Sequence, residues 1–214
     1  MKRIYCISGL GADQRIFQKL QIPGYELVPV AWPVFDRHDD MPCYAQKIIA
    51  QIQDERPTII GVSFGGMLSV EIAKQVPVTK AIIVSSAKTT GELPPVSSIV
   101  QWLLRANLVP ISLLRNFHRP MFARFGVHTE EGKKLLLSIM NDTDPRFVKW
   151  ASRALLSWKN EEVPPGIVHI HGTADRLIPP DHIRPNYWIE GGTHFMIYDR
   201  AAEISRIIVS ELAE

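Results

Sequence analysis

Ile59-Ile60-Gly61-Val62-Ser63-Phe64-Gly65-Gly66 is the stretch around which this chain is organised. It opens with β-branched apolar residues, which suit a buried strand. It then runs into Met67-Leu68-Ser69-Val70-Glu71-Ile72-Ala73, a helical pattern. Strand, sharp turn and helix are the context in which Gly-x-Ser-x-Gly acts as a nucleophile elbow. Gly61 and Gly65 leave room where strand and helix close on one another, because side chains there would collide. Ser63 then sits at the tip of the turn with its hydroxyl clear of the backbone. A plain βα turn that happens to carry a serine has the same pattern, so the rest of the chain has to decide between the two.

Working outward, strand and helix alternate on both sides of this stretch. Lys2–Ile7 reads as a short buried strand, and Ser8-Gly9-Leu10-Gly11-Ala12-Asp13 as a glycine-rich turn with a short helix after it to Leu20. Tyr25–Val30 reads as a second strand, ended by Trp32-Pro33. A polar loop follows from Asp36 to Pro42. Tyr44–Gln53 carries Ile48, Ile49 and Ile52 at helical spacing. Thr58–Val62 is the third strand, Phe64–Gln75 the helix behind it, and Lys80–Ser85 the fourth strand. The strands are continuous apolar runs rather than alternating ones. With the βα rhythm, that predicts a parallel sheet covered by helices on both faces.

From Ala87 to Asn160 the rhythm stops, and no strand is legible. Val96–Leu108, Glu130–Asn141 and Asp144–Trp158 have helical patterns; in the last, Asp144 suits the cap and Pro145 the first turn. Pro94-Pro95 and Pro164-Pro165 bracket the region. The α/β rhythm resumes with Gly166–Ile170 and Asn186–Glu190 as strands five and six. Arg200–Leu212 closes the chain as an amphipathic helix with Ile204, Ile207, Ile208 and Leu212 on one face. The expectation is one domain over residues 1–214, with a helical cap inserted at about 88–160.

Composition narrows the class. A length of 214 residues, 46% hydrophobic and 21% charged, suits one soluble globular domain. The most apolar stretch, Val96 to Leu114, is broken by Arg105, Asn107 and Pro110, so no membrane span is expected. Lys2-Arg3 before Ile4-Tyr5-Cys6-Ile7 faintly suggests a signal peptide, but the apolar segment is too short and glycines follow it at once. Cys6 and Cys43 show no metal spacing and nothing asks for an oxidising compartment, which predicts a cytoplasmic protein. Ile99–Asn160 holds ten Lys/Arg against four Asp/Glu, while the remainder has 14 basic and 18 acidic residues. That basic segment is too scattered to argue for nucleic acid.

A serine hydroxyl is a poor nucleophile until a base takes its proton and a third group orients that base. Both partners are available, each after a late strand. His169-Ile170-His171-Gly172-Thr173-Ala174-Asp175-Arg176-Leu177-Ile178-Pro179 places an aspartate beyond strand five. Gly191-Gly192-Thr193-His194-Phe195 places a histidine beyond strand six. In a parallel sheet these loops share one edge with the elbow, the edge where ligands bind.

In the order Ser63, Asp175, His194, with His-Gly-x-x-Asp-x-x-Ile-Pro and Gly-Gly-x-His-Phe in place, the chain resembles an α/β-hydrolase-fold serine hydrolase from Lys2 to about Leu212. The resemblance implies that Ser63 is the nucleophile, His194 the base and then the acid, and Asp175 the orienting carboxylate. It also implies an oxyanion hole from the backbone N–H of Phe64 and, from the loop after the first strand, that of Leu10. The family's usual His-Gly-x-Gly is Ser8-Gly9-Leu10-Gly11 here. Its opening antiparallel hairpin is missing, so six parallel strands in a compact version of the fold are expected.

Each assignment has a plainer rival. His194 can be a loop histidine beside two glycines, and Asp175 can cap a following turn. Asp199, in the final helical region, and Asp181, beyond Pro179-Pro180, are rival acids. His169 and His171 alternate on a strand as a metal pair would, but no carboxylate or cysteine set at ligand spacing accompanies them. Asp36, His38, Asp39 and Asp40 form either a solvated loop or a substrate contact. In the cap, Trp102, Leu103, Leu108, Phe117, Phe122, Trp150 and Trp158 either shape specificity or pack the cap onto the sheet. Arg115, His118, Arg119 and Arg124 either line an entrance suited to a carboxylate- or phosphate-bearing substrate or form a solvated basic face.

Two functions follow. One is hydrolysis of a small carboxylic ester or thioester through an acyl-enzyme, with no cofactor or metal called for. Within the resembled family, amide, lactone and carbon–carbon hydrolysis use similar triads, whereas the haloalkane dehalogenase branch has an aspartate at the position of Ser63. The other is a non-catalytic ligand-binding or partner-binding protein on the same fold.

Overall fold

A computed structural model describes residues 1–94 and 118–213. Six strands form one sheet: β1 (Lys2–Ile7), β2 (Tyr25–Pro29), β3 (Thr58–Val62), β4 (Lys80–Val84), β5 (Ile167–Gly172) and β6 (Tyr187–Ile189). Their order across the sheet is β2-β1-β3-β4-β5-β6, and every pairing is parallel. Among the described residues all six strands belong to this parallel sheet, as expected.

The side-chain period of two sends alternate residues to opposite faces. Ile4, Cys6, Ile60, Val62, Ile82, Val84, Val168 and Ile170 join one buried cluster, closed by Ile204 and Ile208 of helix α7 (Ala201–Ala213). Ile7, Ile59 and Ala81 join the cluster on the other face, with residues of α1 (Met41–Ile49) and α2 (Phe64–Gln75). Cys6, in the first cluster, is a buried apolar filler, its thiol pushed up to about 12 by burial, which keeps it unreactive.

Some boundaries differ from the sequence reading. Helix α1 starts three residues early, because Asp40 caps it by accepting from the Cys43 N–H (2.9 Å) and Pro42 suits its first turn. The expected helix before Leu20 is a single 3₁₀ turn, Gln14–Phe17, capped by Asp13. Strand β5 runs to Gly172, two residues further than its apolar run suggested.

Between β4 and β5 the described residues hold α3 (His118–Phe125), α4 (Glu130–Asp142) and α5 (Pro145–Ser157), and no strand. Asp144 caps α5 as expected, accepting from the Arg146 N–H (2.8 Å). Helix α3 is new to the structure; the expected Val96–Leu108 helix lies outside the described residues. A short helix α6 (Met196–Asp199) precedes α7. Among the described residues no helix is long and apolar enough to cross a membrane.

Candidate active site

The site is built from the ends of four strands. At the end of β3 the chain turns sharply at Ser63, whose φ of 53° and ψ of −119° are rare for a residue with a side chain. Such a conformation costs of order 1–3 kcal/mol and persists only where neighbours enforce it. The Ser63 N–H donates to Val84 O (3.0 Å), and Ser63 O accepts from Ser86 Oγ (2.6 Å) and the N–H groups of Gly66 and Met67 (2.9 and 3.2 Å). Gly61 and Gly65 have the role their positions suggested. A methyl at Gly61 would overlap Ser69 and Gly66, and one at Gly65 would overlap the carbonyls of Ile7 and Ser8.

Asp175 and His194 come from the loops after β5 and β6, which are stitched together. Gly191 N–H donates to Thr173 Oγ1 (2.8 Å), Ala174 N–H to Gly192 O (2.9 Å) and Thr173 N–H to Ile189 O (3.0 Å). Helix α3 clasps the histidine loop from outside: Phe195 N–H donates to Phe125 O (3.2 Å), and the Phe125 ring stands edge-on to His194 with centroids 5.6 Å apart.

The three residues form one chain of hydrogen bonds. His194 Nδ1 lies 2.8 Å from Asp175 Oδ2, and His194 Nε2 lies 3.0 Å from Ser63 Oγ. A carboxylate only accepts, so the Nδ1 proton faces Asp175 and the Nε2 lone pair faces the serine hydroxyl. Asp175 is 2% exposed. Burial alone would favour its neutral form. The electrostatic attraction and hydrogen bond of His194, the nearby His171 and the Ile178 N–H outweigh that and hold the carboxyl below the usual carboxylate range.

The loop after β1 lies against this chain. Gly9 packs on the Ser63 side chain, and Ala12 N–H closes a turn onto Gly9 O (3.0 Å). Ala12 O in turn accepts from Ser8 Oγ (2.9 Å) and Trp32 Nε1 (3.2 Å). Ser8, where the resembled family has histidine, is thus a brace for the turn that carries Leu10. Phe64, the other candidate donor, is the first residue of α2, where N–H groups and the positive end of the helix dipole point outward.

The rival residues lie elsewhere. Asp181 is exposed in the turn Pro180–His182, and Asp199 is exposed at the end of α6. His169 and His171 are fully buried, and among the described residues no three His, Cys, Asp or Glu gather as metal ligands would. Asp39 pairs with Lys47 and caps a local turn at Asp36, while its carbonyl accepts from Trp150 Nε1 (3.0 Å). Trp150 and Trp158 are buried packing residues. Trp102, Leu103, Leu108, Phe117 and Arg115 lie outside the described residues, and Arg124 is half-buried on α3. The sequence reading missed Ser86, Phe125 and the brace from Trp32. Ser86 alone carried a signal, sitting just past β4 at the same sheet edge.

A cleft of about 360 Å³ opens beside the β1 loop, between Gly11-Ala12-Asp13, the Trp32–Phe35 stretch and the α4–α5 junction. Trp32, Phe35, Phe147 and Ile139 give it apolar walls, and its polar rim holds Asp13, Asp142 and Asp144, each paired with Arg15 or Arg146.

A parallel doubly wound sheet with a strained serine elbow at its carboxyl edge, and a late histidine on the same edge, is the architecture of an α/β-hydrolase. The chain belongs to the alpha/beta hydrolase family, whose model matches residues 4–207. Comparison with curated protein sequences returns no significant match. Among solved structures it is similar to an esterase from Exiguobacterium antarcticum, at TM-score 0.78 and 17% identity over 100% of this chain and 92% of that one. A bromoperoxidase from Bacillus anthracis is similar at TM-score 0.77 and 16% identity, with the same coverage of 100% and 92%. An enol-lactonase from Burkholderia xenovorans LB400 is similar at TM-score 0.73 and 14% identity, again over 100% and 92%. At such identities the likeness is one of fold.

Proposed function

We propose that the protein is a serine hydrolase that cleaves a small carboxylic ester or thioester through an acyl-enzyme. The observation that carries this reading is the bond chain from Ser63 Oγ through His194 to Asp175, at 3.0 and 2.8 Å. In this mechanism His194 Nε2 takes the hydroxyl proton as Ser63 Oγ attacks the carbonyl carbon. Asp175 stabilises the resulting imidazolium without taking its proton. The oxyanion is met by the backbone N–H groups of Phe64 and Leu10; one such donor is worth about 10²–10³ in rate. His194 then protonates the leaving alcohol or thiol. Water repeats the sequence on the acyl-enzyme, and Ser63 is released with its proton restored.

The α3, α4 and α5 helices act in this reading as a cap, and the cleft beside the β1 loop holds the apolar part of the substrate. Its aromatic walls favour an uncharged apolar group there. Intact-mass labelling with a fluorophosphonate tests the reading. Wild type gains one adduct, mapped to Ser63, and Ser63→Ala and His194→Ala do not; hydrolysis of a neutral ester and thioester panel follows the same order. A folded wild type that takes no adduct and turns over no ester of the panel would instead be a binding protein.

A further inference from the structure

We propose that His171 is a positioning residue for Asp175, acting by anchoring the Ile178 carbonyl and turning an N–H edge toward the carboxylate. The proposal rests on the reading of Ser63, His194 and Asp175 given above.

The geometry starts from the aspartate. Asp175 Oδ1 accepts from the N–H groups of Leu177 and Ile178 (2.8 and 2.9 Å), which leaves Oδ2 turned to His194. That orientation is only as firm as the turn supplying the two N–H groups. His171 Nε2 lies 3.0 Å from Ile178 O. Ile178 is therefore held at both backbone groups: its N–H by Asp175 and its carbonyl by His171. Strand β5, paired on both sides, carries His171, so the turn is tied to the sheet.

The proton positions follow from what each partner can do. A carbonyl only accepts, so His171 carries its proton on Nε2. The same Nε2 lies 3.7 Å from Asp175 Oδ2, beyond hydrogen-bond reach but close enough for the N–H dipole to favour the ionised carboxylate. In the neutral ring Nδ1 must then accept, and the donor is His169 Nε2 at 3.3 Å. His169 Nδ1 is left facing the Ser86 backbone with no hydrogen bond of ordinary geometry. The reverse tautomer would point a lone pair of His171 at two oxygens. A protonated His171 would set a second buried cation against the oxygen that His194 needs.

The surroundings favour the neutral pair. His169 and His171 are fully buried, and burial lowers the affinity of both rings for a proton. The charged or titratable groups facing them are Asp175, His194 and Glu92 around His171, and Lys88 beside His169. The apolar edge is closed by Trp188, edge-on to His171 at 6.0 Å. The two imidazoles spend facing nitrogens on each other, which is not how a metal pair would stand.

The test compares His171→Leu, which keeps bulk but loses the donor, with His171→Gln, whose amide can restore it. The first readout is the pH dependence of fluorophosphonate labelling at Ser63. His171→Leu should slow labelling about tenfold, the kinetic equivalent of one hydrogen bond. Its acid limb should move to lower pH, because a misoriented carboxylate stabilises the His194 imidazolium less; His171→Gln should recover most of both. The second readout is the downfield NMR resonance of the His194 Nδ1 proton, which needs no turnover. It should persist in the glutamine variant and be lost or shifted in the leucine one. Unchanged rate, midpoint and resonance in His171→Leu would overturn the proposal. So would equal slowing in both variants at an unmoved midpoint, which would mark a packing role alone. A wild type that takes no label refutes the serine-hydrolase reading instead, and the resonance then decides the positioning claim by itself.

Discussion

The carboxyl edge of the sheet and the β4–β5 segment meet across the candidate site but are held by different physics. At the edge, Ser63 is fixed by backbone hydrogen bonds, by Ser86 just past the next strand and by glycines with no space for a methyl. Asp175 and His194 sit on loops that are hydrogen-bonded to each other. Helices α4 and α5 of the β4–β5 segment, in contrast, are held mainly by side chains. Trp150 packs against Tyr44 with ring centroids 4.2 Å apart and the planes tilted by 46°, Trp158 Nε1 donates to the buried Glu71 (2.7 Å), and Arg15 and Lys19 reach out to Asp142 and Glu131. Backbone-enforced geometry is stiff and local. Side-chain docking is adaptable, which suits the part of a fold that would differ between substrates.

If that contrast is right, changes at the edge should abolish activity and leave stability intact. Ser63→Ala should lower ester hydrolysis by about 10⁴-fold or more with an unchanged urea unfolding midpoint, and Asp175→Asn should lower it by about 10⁴-fold. A loss of folding in Ser63→Ala, rather than of activity, would break the comparison.

Changes in the docked segment should do the opposite. Trp158→Phe removes a donor from the buried Glu71, leaving Lys74 at 3.2 Å as its partner. The expected cost is about 2 kcal/mol in urea unfolding, with the labelling rate per folded molecule unchanged.

A pH series separates the edge from the segment in another way. His169 and His171 are buried neutral, with proton affinities below the ordinary histidine value of 6.5. The unfolded rings take up protons first, so their contribution to stability is present above pH 6.5 and is lost as the pH falls below it. Each ring can contribute a slope of up to about 1.4 kcal/mol per pH unit. His169→Leu should flatten the unfolding free energy between pH 6.5 and 5.5, read by urea titration, as against wild type.

The smallest effect belongs to the exposed ties. Arg15→Ala loses its bonds to Asp142 and Ser138 and should cost under about 1 kcal/mol, less still at high salt. Its trace, if the cleft receives substrate, should be a changed KM at constant kcat.

Much of the edge was legible because it is written in local backbone rules. Apolar runs gave the strands, and the spacing of glycines around Ser63 gave the elbow. The loop positions of Asp175 and His194 followed from where β5 and β6 had to end. What escaped was set by partners distant in sequence. Helix α3 carries no strong periodicity and is placed by its clasp on the loop of His194 and Phe195. The role of Ser8 depends on Ala12 O, and that of Trp32 on the same carbonyl. The alternating His169 and His171 suggested a metal pair that lacked further ligands; only the approach of Ile178 and Asp175 shows what their nitrogens face.

By itself, then, the sequence determined the parallel α/β class, the elbow and the three residues that meet at the sheet edge. Those depend on periodicity, steric room and chain order, which are properties of neighbours along the chain. Only the tertiary structure decided the two hydrogen bonds through His194, the tautomers behind Asp175 and the seat of the β4–β5 helices. Those depend on distances between residues far apart in sequence, which packing fixes only once the sheet has closed.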